Sequence, residues 1–148
     1  DPLRKMQRRM IHKSIKRMTT ITWKINEQKI LAGYSDGALR IFDGETMKVL
    51  HEAKVHDSAI TSISLIKGDS TIATGSLDST VAILDIADGI NIRTHKLVAA
   101  LGINSVKFSP SGEYLLTCSD DGVIRLLDQE CNIIREKRCI HVIIAGKL

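Results

Sequence analysis

Apolar and polar positions repeat along this chain in three blocks that align without gaps. Each block opens on a stretch with spaced apolar residues: Met18, Ile21 and Trp23; Ile60, Ile63 and Leu65; Ile103, Val106 and Phe108. This spacing predicts a strand with one buried face. A polar turn follows, at Asn26 to Lys29, Lys67 to Ser70 and Ser109 to Gly112, rich in residues that hold turn backbones. A second strand is expected at Ile30 to Ala32, Thr71 to Thr74 and Tyr114 to Thr117. Next comes a tight turn around an inner aspartate: Asp36, Asp78 and Asp121. A third strand carries Leu39 and Ile41, Val81 and Ile83, or Ile124 and Leu126, and ends in an outer aspartate, Asp43, Asp85 or Asp128. A weaker fourth strand is expected at Met47 to Val55, Asn91 to Ala99 and Asn132 to Cys139. The inner aspartates lie 42 and then 43 residues apart, a period that marks a repeat architecture.

Short connections between successive strands favour pairing of neighbours. Each repeat is therefore read as a four-stranded antiparallel meander, and the chain as all-β. One such sheet cannot bury both faces alone, and stacking like sheets gives propeller blades. The expected division is 1–17, a basic N-terminal arm or the last strand of a preceding blade; 18–55, blade 1; 56–100, blade 2; 101–139, blade 3; and 140–148, a tail or the start of a further blade. Closed propellers usually have about four to eight blades. The chain is thus expected to form a partial propeller, as a piece of a longer protein or as a unit that self-associates to complete a ring. An aspartate rather than methionine at position 1 fits the first account.

Composition narrows the class. The chain has 148 residues and 43% hydrophobic content, enough for a real core. No apolar run approaches the roughly 20 residues that span a bilayer, so no membrane role is expected. The three cysteines, Cys118, Cys131 and Cys139, lack metal-site spacing. They are read as thiols in a reducing compartment, the cytoplasm or alternatively the nucleus. The formal net charge of +4 is unevenly placed: residues 1–18 carry seven basic side chains against Asp1 alone. The apolar spacing of Leu3, Met6 and Met10 in this arm suits an amphipathic helix. Arg4, Lys5, Arg8 and Arg9 are candidate nucleic-acid contacts, with a solvated linker as the plainer reading.

The residues now named resemble the WD-repeat family. Phe42-Asp43, Leu84-Asp85 and Leu127-Asp128 stand at its signature dipeptide, with Ser76-Leu77-Asp78, Ser119-Asp120-Asp121 and the run Val106 to Gly112 in support. The resemblance implies a hydrogen-bonded His, Ser or Thr, Asp and Trp set in a blade. Repeat 2 matches it at His56, Thr74 and Asp78, with Leu84 at the Trp position. Repeat 3 keeps Thr117 and Asp121 but has Ala99 at the His position; repeat 1 keeps only Asp36. All six residues are read as structural parts of blade turns, complete in no repeat.

No metal-ligand spacing, phosphate-binding loop or catalytic constellation stands out, so no enzyme activity and no cofactor are expected. The resemblance implies a scaffold that binds other protein subunits. Candidate protein contacts are Tyr34, Leu77 and Asp120 at the inner turns, with Arg40 and Arg125 on neighbouring strands. Residues 18–85 are also similar to WD-repeat subunits of eukaryotic translation initiation factor 3, through Thr20 to Trp23, Ile30 to Gly33, His56 and Thr74 to Thr80. That likeness implies a part in assembling an initiation complex. RNA association through the arm is the other alternative.

Overall fold

The computed structural model describes residues 2–4 and 16–139. Its main body is twelve strands in three antiparallel sheets. The first sheet holds β1 (Met18–Lys24), β2 (Lys29–Tyr34), β3 (Ala38–Asp43) and β4 (Val49–Lys54). The second holds β5 (Ile60–Leu65), β6 (Thr71–Ser76), β7 (Thr80–Asp85) and β8 (Asn91–Leu97). The third holds β9 (Ile103–Phe108), β10 (Leu115–Ser119), β11 (Val123–Leu127) and β12 (Ile133–Arg138). Strand order within each sheet follows chain order, so each is an up-and-down meander. The sheets are the blades of a partial propeller.

The fourth strands are shorter than the sequence suggests. After β3 and β11 an outer aspartate folds the chain into a turn. Asp43 accepts hydrogen bonds from the Glu45 and Thr46 amides at 3.0 and 2.7 Å. Asp128 accepts from the Glu130 and Asn132 amides at 3.0 and 2.8 Å. These bonds hold the residues before β4 and β12 in a turn and delay pairing. At the far end of β8, Val98 and Ala99 leave the strand and are buried.

Two apolar seams join the blades. Leu31, Leu39 and Ile41 of blade 1 meet Ile60, Ile72, Ala82, Leu84 and Ile86 of blade 2 in one cluster. Ala73, Val81 and Ile83 of blade 2 meet Ile103, Val106, Phe108, Leu115 and Leu127 of blade 3 in another. The first strand of a blade crosses close over a glycine in the blade before it. A Cβ on Gly33 would fall 2.8 Å from Ile60, and one on Gly75 2.7 Å from Ile103. Hydroxyls reinforce both seams. Thr19 reaches the Ile60 carbonyl, and Thr61 reaches the Ile103 carbonyl at 2.6 Å. The Phe108 amide donates to the Ser64 hydroxyl at 2.9 Å.

The expectation that each first strand buries its apolar residues holds fully in β9, where Ile103, Val106 and Phe108 are buried, and at Ile60 of β5. It fails in β1, where Met18, Ile21 and Trp23 are all more than half exposed. Strands β5 and β9 lie against a preceding blade, and among the described residues β1 does not.

Candidate functional site

Each inner aspartate sits in a tight turn between the second and third strands. Its carboxylate accepts the backbone N–H two residues on: Ala38 to Asp36 at 3.1 Å, Thr80 to Asp78 at 2.9 Å, and Val123 to Asp121 at 3.1 Å. The residue after each aspartate has a left-handed backbone: Gly37 at φ 86°, Ser79 at φ 71° and Gly122 at φ 75°. Glycine adopts this region without steric cost; Ser79 does not. At Gly37 a side chain is also excluded, because a Cβ would fall 1.9 Å from the His56 carbonyl oxygen.

In blade 2 this turn organises a polar cluster. The Thr80 hydroxyl is its centre, 2.5 Å from Asp78 Oδ1, 2.7 Å from His56 Nδ1 and 2.8 Å from His95 Nε2. His56 is buried, and its Nε2 lies 2.7 Å from the Thr74 hydroxyl. One proton arrangement satisfies every partner. Thr80 donates to the carboxylate and accepts from both rings, while Thr74 donates to His56 Nε2. This requires neutral His56 with its proton on Nδ1. Burial drives its pKa down from 6.5 to about 4, against the opposing pull of Asp78, and nearby His95 adds to the lowering. Burial alone would raise the Asp78 pKa, but hydrogen bonds from Thr80 and the Asp57 amide outweigh it and hold the carboxyl below its ordinary range.

The Asp78 carboxylate and the two ring nitrogens lie within 4.8 Å of one another, a donor set for a divalent ion. The Thr80 hydroxyl already stands between them at hydrogen-bond lengths, longer than the roughly 2.0–2.1 Å of a zinc–nitrogen bond. An ion could enter only by displacing it. The Thr80 hydroxyl is committed to Asp78, and the ring beside it, His56, is buried.

Blade 3 holds its aspartate differently. The His position is Ala99, and a guanidinium arrives instead from β11. Arg125 Nη2 lies 2.8 Å from Asp121 Oδ2, and Nη1 lies 3.0 Å from the Ser119 hydroxyl. The two side chains are 9% and 7% exposed. The Arg125 contact holds the Asp121 carboxyl far below the usual carboxylate range. Arg125 was expected to be an exposed protein contact; it is buried because it takes over the role that His56 has in blade 2. Thr117 was expected in the network. It is buried, yet its hydroxyl has no hydrogen-bond partner among the described residues, since Ala99 offers none. In blade 1, Asp36 is met by the Lys16 ammonium at 2.7 Å, which lowers its pKa.

Two of the remaining candidate contacts are exposed, Leu77 and Asp120. Tyr34 is not: it is 3% exposed in a cluster with Ala32 and Ala38. The reason is its place at the end of β2, where the ring lies under the Arg40 guanidinium, 4.7 Å from ring centroid to carbon. Arg40 is half-buried and also pairs with Glu52 at 3.1 Å. Of the proposed nucleic-acid contacts, Arg4 is exposed; Lys5, Arg8 and Arg9 lie outside the described residues, as does most of the amphipathic arm.

Sequence reasoning missed Thr80, His95 and the pairing of Arg125. A signal existed within the chain. Position for position, Arg40, Ala82 and Arg125 align on the third strand. Alanine occurs only in the repeat that has His56, and arginine where the histidine is missing.

The reading also missed a pocket on the edge between blades 1 and 2. Its volume is about 530 Å³, and Trp23, Lys24, Asn26, Leu65, Ile66, Lys67 and Gly68 line it. Trp23 is 56% exposed there. Lys24 is held by Glu27 at 2.5 Å, while Lys67 is exposed.

Comparison with known proteins agrees with this geometry. The model of the WD domain, G-beta repeat, matches residues 91–128. The model of the anaphase-promoting complex subunit 4 WD40 domain matches residues 8–68. A striatin homolog from Dictyostelium discoideum is 29% identical over 78% of the chain, and the match covers 14% of that relative. Eukaryotic translation initiation factor 3 subunit I from Kluyveromyces lactis is 26% identical over 64% of the chain and 27% of the relative. The chain therefore spans less than a third of the length of either relative. A chain in the crystal structure of the mitotic checkpoint complex superposes with a TM-score of 0.73, covering 82% of this chain and 37% of that one at 16% identity. That likeness speaks to the fold alone. Three meander blades, aspartate-centred turns and two matching repeat models lead to one conclusion: the chain belongs to the WD-repeat family.

Proposed function

We propose that the chain is a non-catalytic scaffold that binds other protein subunits within a larger assembly. The observation that carries this reading is the pocket between blades 1 and 2. It places a half-exposed tryptophan and an exposed lysine on a stacked-sheet frame. Exposed aromatics in pockets are typical anchors of protein interfaces, and loops on rigid frames commonly carry binding. The turn clusters support the frame rather than chemistry.

The test compares proteins captured by the wild-type chain with those captured by a Trp23→Ala, Lys67→Glu variant of unchanged thermal stability. Loss of a specific subset of partners is the expected result. An identical set would overturn the pocket's role. A narrower reading, a subunit of a translation initiation complex, is favoured by the likeness to initiation factor 3 subunit I. Sedimentation with the small ribosomal subunit in cell extracts is expected on that reading; a chain found only in light fractions would exclude it.

A further inference from the structure

At one cross-strand position the three blades differ in kind. Between their third and fourth strands, blade 1 pairs Arg40 with Glu52 and blade 3 pairs Arg125 with Glu136. Blade 2 pairs Ala82 with His95 there. In blade 3 the arginine reaches the turn aspartate itself. In blade 2 the His95 ring turns to the Thr80 hydroxyl instead and meets His56 edge-on, with ring centroids 5.1 Å apart. The turn does not need His95. Asp78 is already met by the Thr80 hydroxyl, the Thr80 amide and the Asp57 amide.

What His95 does is complete a set of metal donors. Asp78 Oδ1, His56 Nδ1 and His95 Nε2 each hydrogen-bond the Thr80 oxygen, at 2.5, 2.7 and 2.8 Å, so all three are aimed at one point. Two imidazoles and a carboxylate converging on a point are a ligand set that suits zinc, with water as the fourth ligand. His95 is exposed and Asp78 and Thr80 are only partly buried, which gives an ion and its water a way in. A contraction of about half an ångström per donor reaches zinc-bond length. No sequence spacing announces the set, because its members come from three separate segments: the connector after β4, the turn between β6 and β7, and strand β8.

We propose that His56, Asp78 and His95 form a site for a zinc ion, which the Thr80 hydroxyl fills when no ion is bound. The exchange requires two small movements. Thr80 rotates about its Cα–Cβ bond and carries its hydroxyl out of the centre. The His56 proton passes from Nδ1 to Nε2, and the Thr74 hydroxyl, 2.7 Å from Nε2, turns from donor to acceptor. That is the outer contact that metal-bound histidines ordinarily make. The His56 ring is already neutral, so it has no proton to lose. The bound ion ties the inter-blade connector, the inner turn and the outer strand of blade 2 together, which stabilises the folded blade. The site shares no residue with the pocket at Trp23 and stands or falls apart from the scaffold reading.

The test titrates the chain with zinc chloride, with the exposed Cys118 and Cys139 replaced by serine so that no accessible thiol competes. Saturable binding by calorimetry and a higher melting temperature are expected, and nitrogen NMR of the imidazoles is expected to show the His56 proton moving to Nε2. His95→Ala changes an exposed side chain and is expected to abolish the saturable step, while His51→Ala, an exposed histidine outside the cluster, leaves it in place. Thr80→Ala removes the occupant and is expected to tighten binding roughly tenfold. A wild-type site that takes up no zinc overturns the proposal. So does uptake that survives His95→Ala, because the ion then lies elsewhere, and so does uptake that leaves the His56 proton on Nδ1. Weaker binding by a folded Thr80→Ala variant overturns the exchange with the hydroxyl.

Discussion

Blades 2 and 3 bury the same turn aspartate by opposite means. Blade 2 surrounds Asp78 with neutral donors: a threonine hydroxyl that is in turn held by two imidazoles. Blade 3 neutralises Asp121 with a full cationic charge from Arg125. The first solution stays neutral around a charged oxygen and depends on pH through histidine. The second is a buried ion pair, stable across the neutral range but costly to break on one side. One fold position thus tolerates two kinds of electrostatics, provided the carboxylate itself is met by donors, and blade 3 does so while leaving the nearby Thr117 hydroxyl unpartnered among the described residues.

The largest expected effect comes from breaking the ion pair. Arg125→Ala strands the Asp121 carboxylate with only its hydroxyl and amide donors, and is expected to cost about 3 kcal/mol of unfolding free energy. Arg40→Ala removes the aligned arginine of blade 1, whose pair with Glu52 is partly solvated. Its cost is expected at about 1 kcal/mol or less. Urea denaturation of the two variants checks this; equal losses would mean that Arg125 acts through packing alone.

The pH response separates the blades next. His56 titrates near 6.5 when unfolded and at about 4 when folded. Between those values the unfolded chain binds the extra proton, so stability falls as pH drops. The contribution is complete above about pH 6.5, and about 2–3 kcal/mol is lost on reaching pH 4. Asp121, with its folded pKa lowered, contributes stability above the ordinary carboxylate pKa that is lost only in stronger acid. Denaturation midpoints from pH 8 to 3 are expected to show a first decline that His56→Gln flattens, and a later one that it leaves in place. A single decline untouched by the variant would contradict the neutral state of His56.

Threonine to valine sharpens the comparison at smaller scale. Thr74→Val leaves His56 Nε2 without its donor, 2.7 Å away in the wild type, and is expected to cost about 1–2 kcal/mol. Thr117→Val removes a buried hydroxyl that has no partner among the described residues, and is expected to be neutral or to stabilise by up to about 1 kcal/mol. Opposite signs in melting temperature are the expected result. Two losses of equal size would place a donor or acceptor on Thr117.

The extent to which this was visible in the sequence follows from range. The blade strands and the aspartate turns depend on apolar spacing and on side chains that bond two residues away, both written locally. His56 with Thr74 and Asp78 was suggested by resemblance. What the sequence did not disclose was how side chains meet once strands pair: that Thr80 would sit among His56, His95 and Asp78, that Arg125 would fold inward onto Asp121, and that Tyr34 would lie under Arg40. Arginine and tyrosine near a turn look exposed by type. Their burial was decided by a carboxylate in the inner turn for Arg125 and by a cation on the next strand for Tyr34. Likewise Met18, Ile21 and Trp23 carry the same pattern as the buried Ile103, Val106 and Phe108, and only the presence of a preceding blade separates the two outcomes.

The smallest effect tests the backbone shared by all three turns. Blades 1 and 3 place glycine in the left-handed position after the inner aspartate, at Gly37 and Gly122, whereas blade 2 places Ser79 there at φ 71°. A non-glycine residue in that region costs about 1 kcal/mol in strain, partly offset by its lower entropy when unfolded. Gly37 is also crowded by the His56 carbonyl, whereas Ser79 already carries a side chain, so its replacement by glycine isolates the dihedral. Ser79→Gly is expected to raise stability by about 0.5 kcal/mol without moving the pH profile of His56. A loss of stability, or a shifted profile, would mean that Ser79 holds the Thr80 hydroxyl in place and belongs to the blade 2 cluster after all.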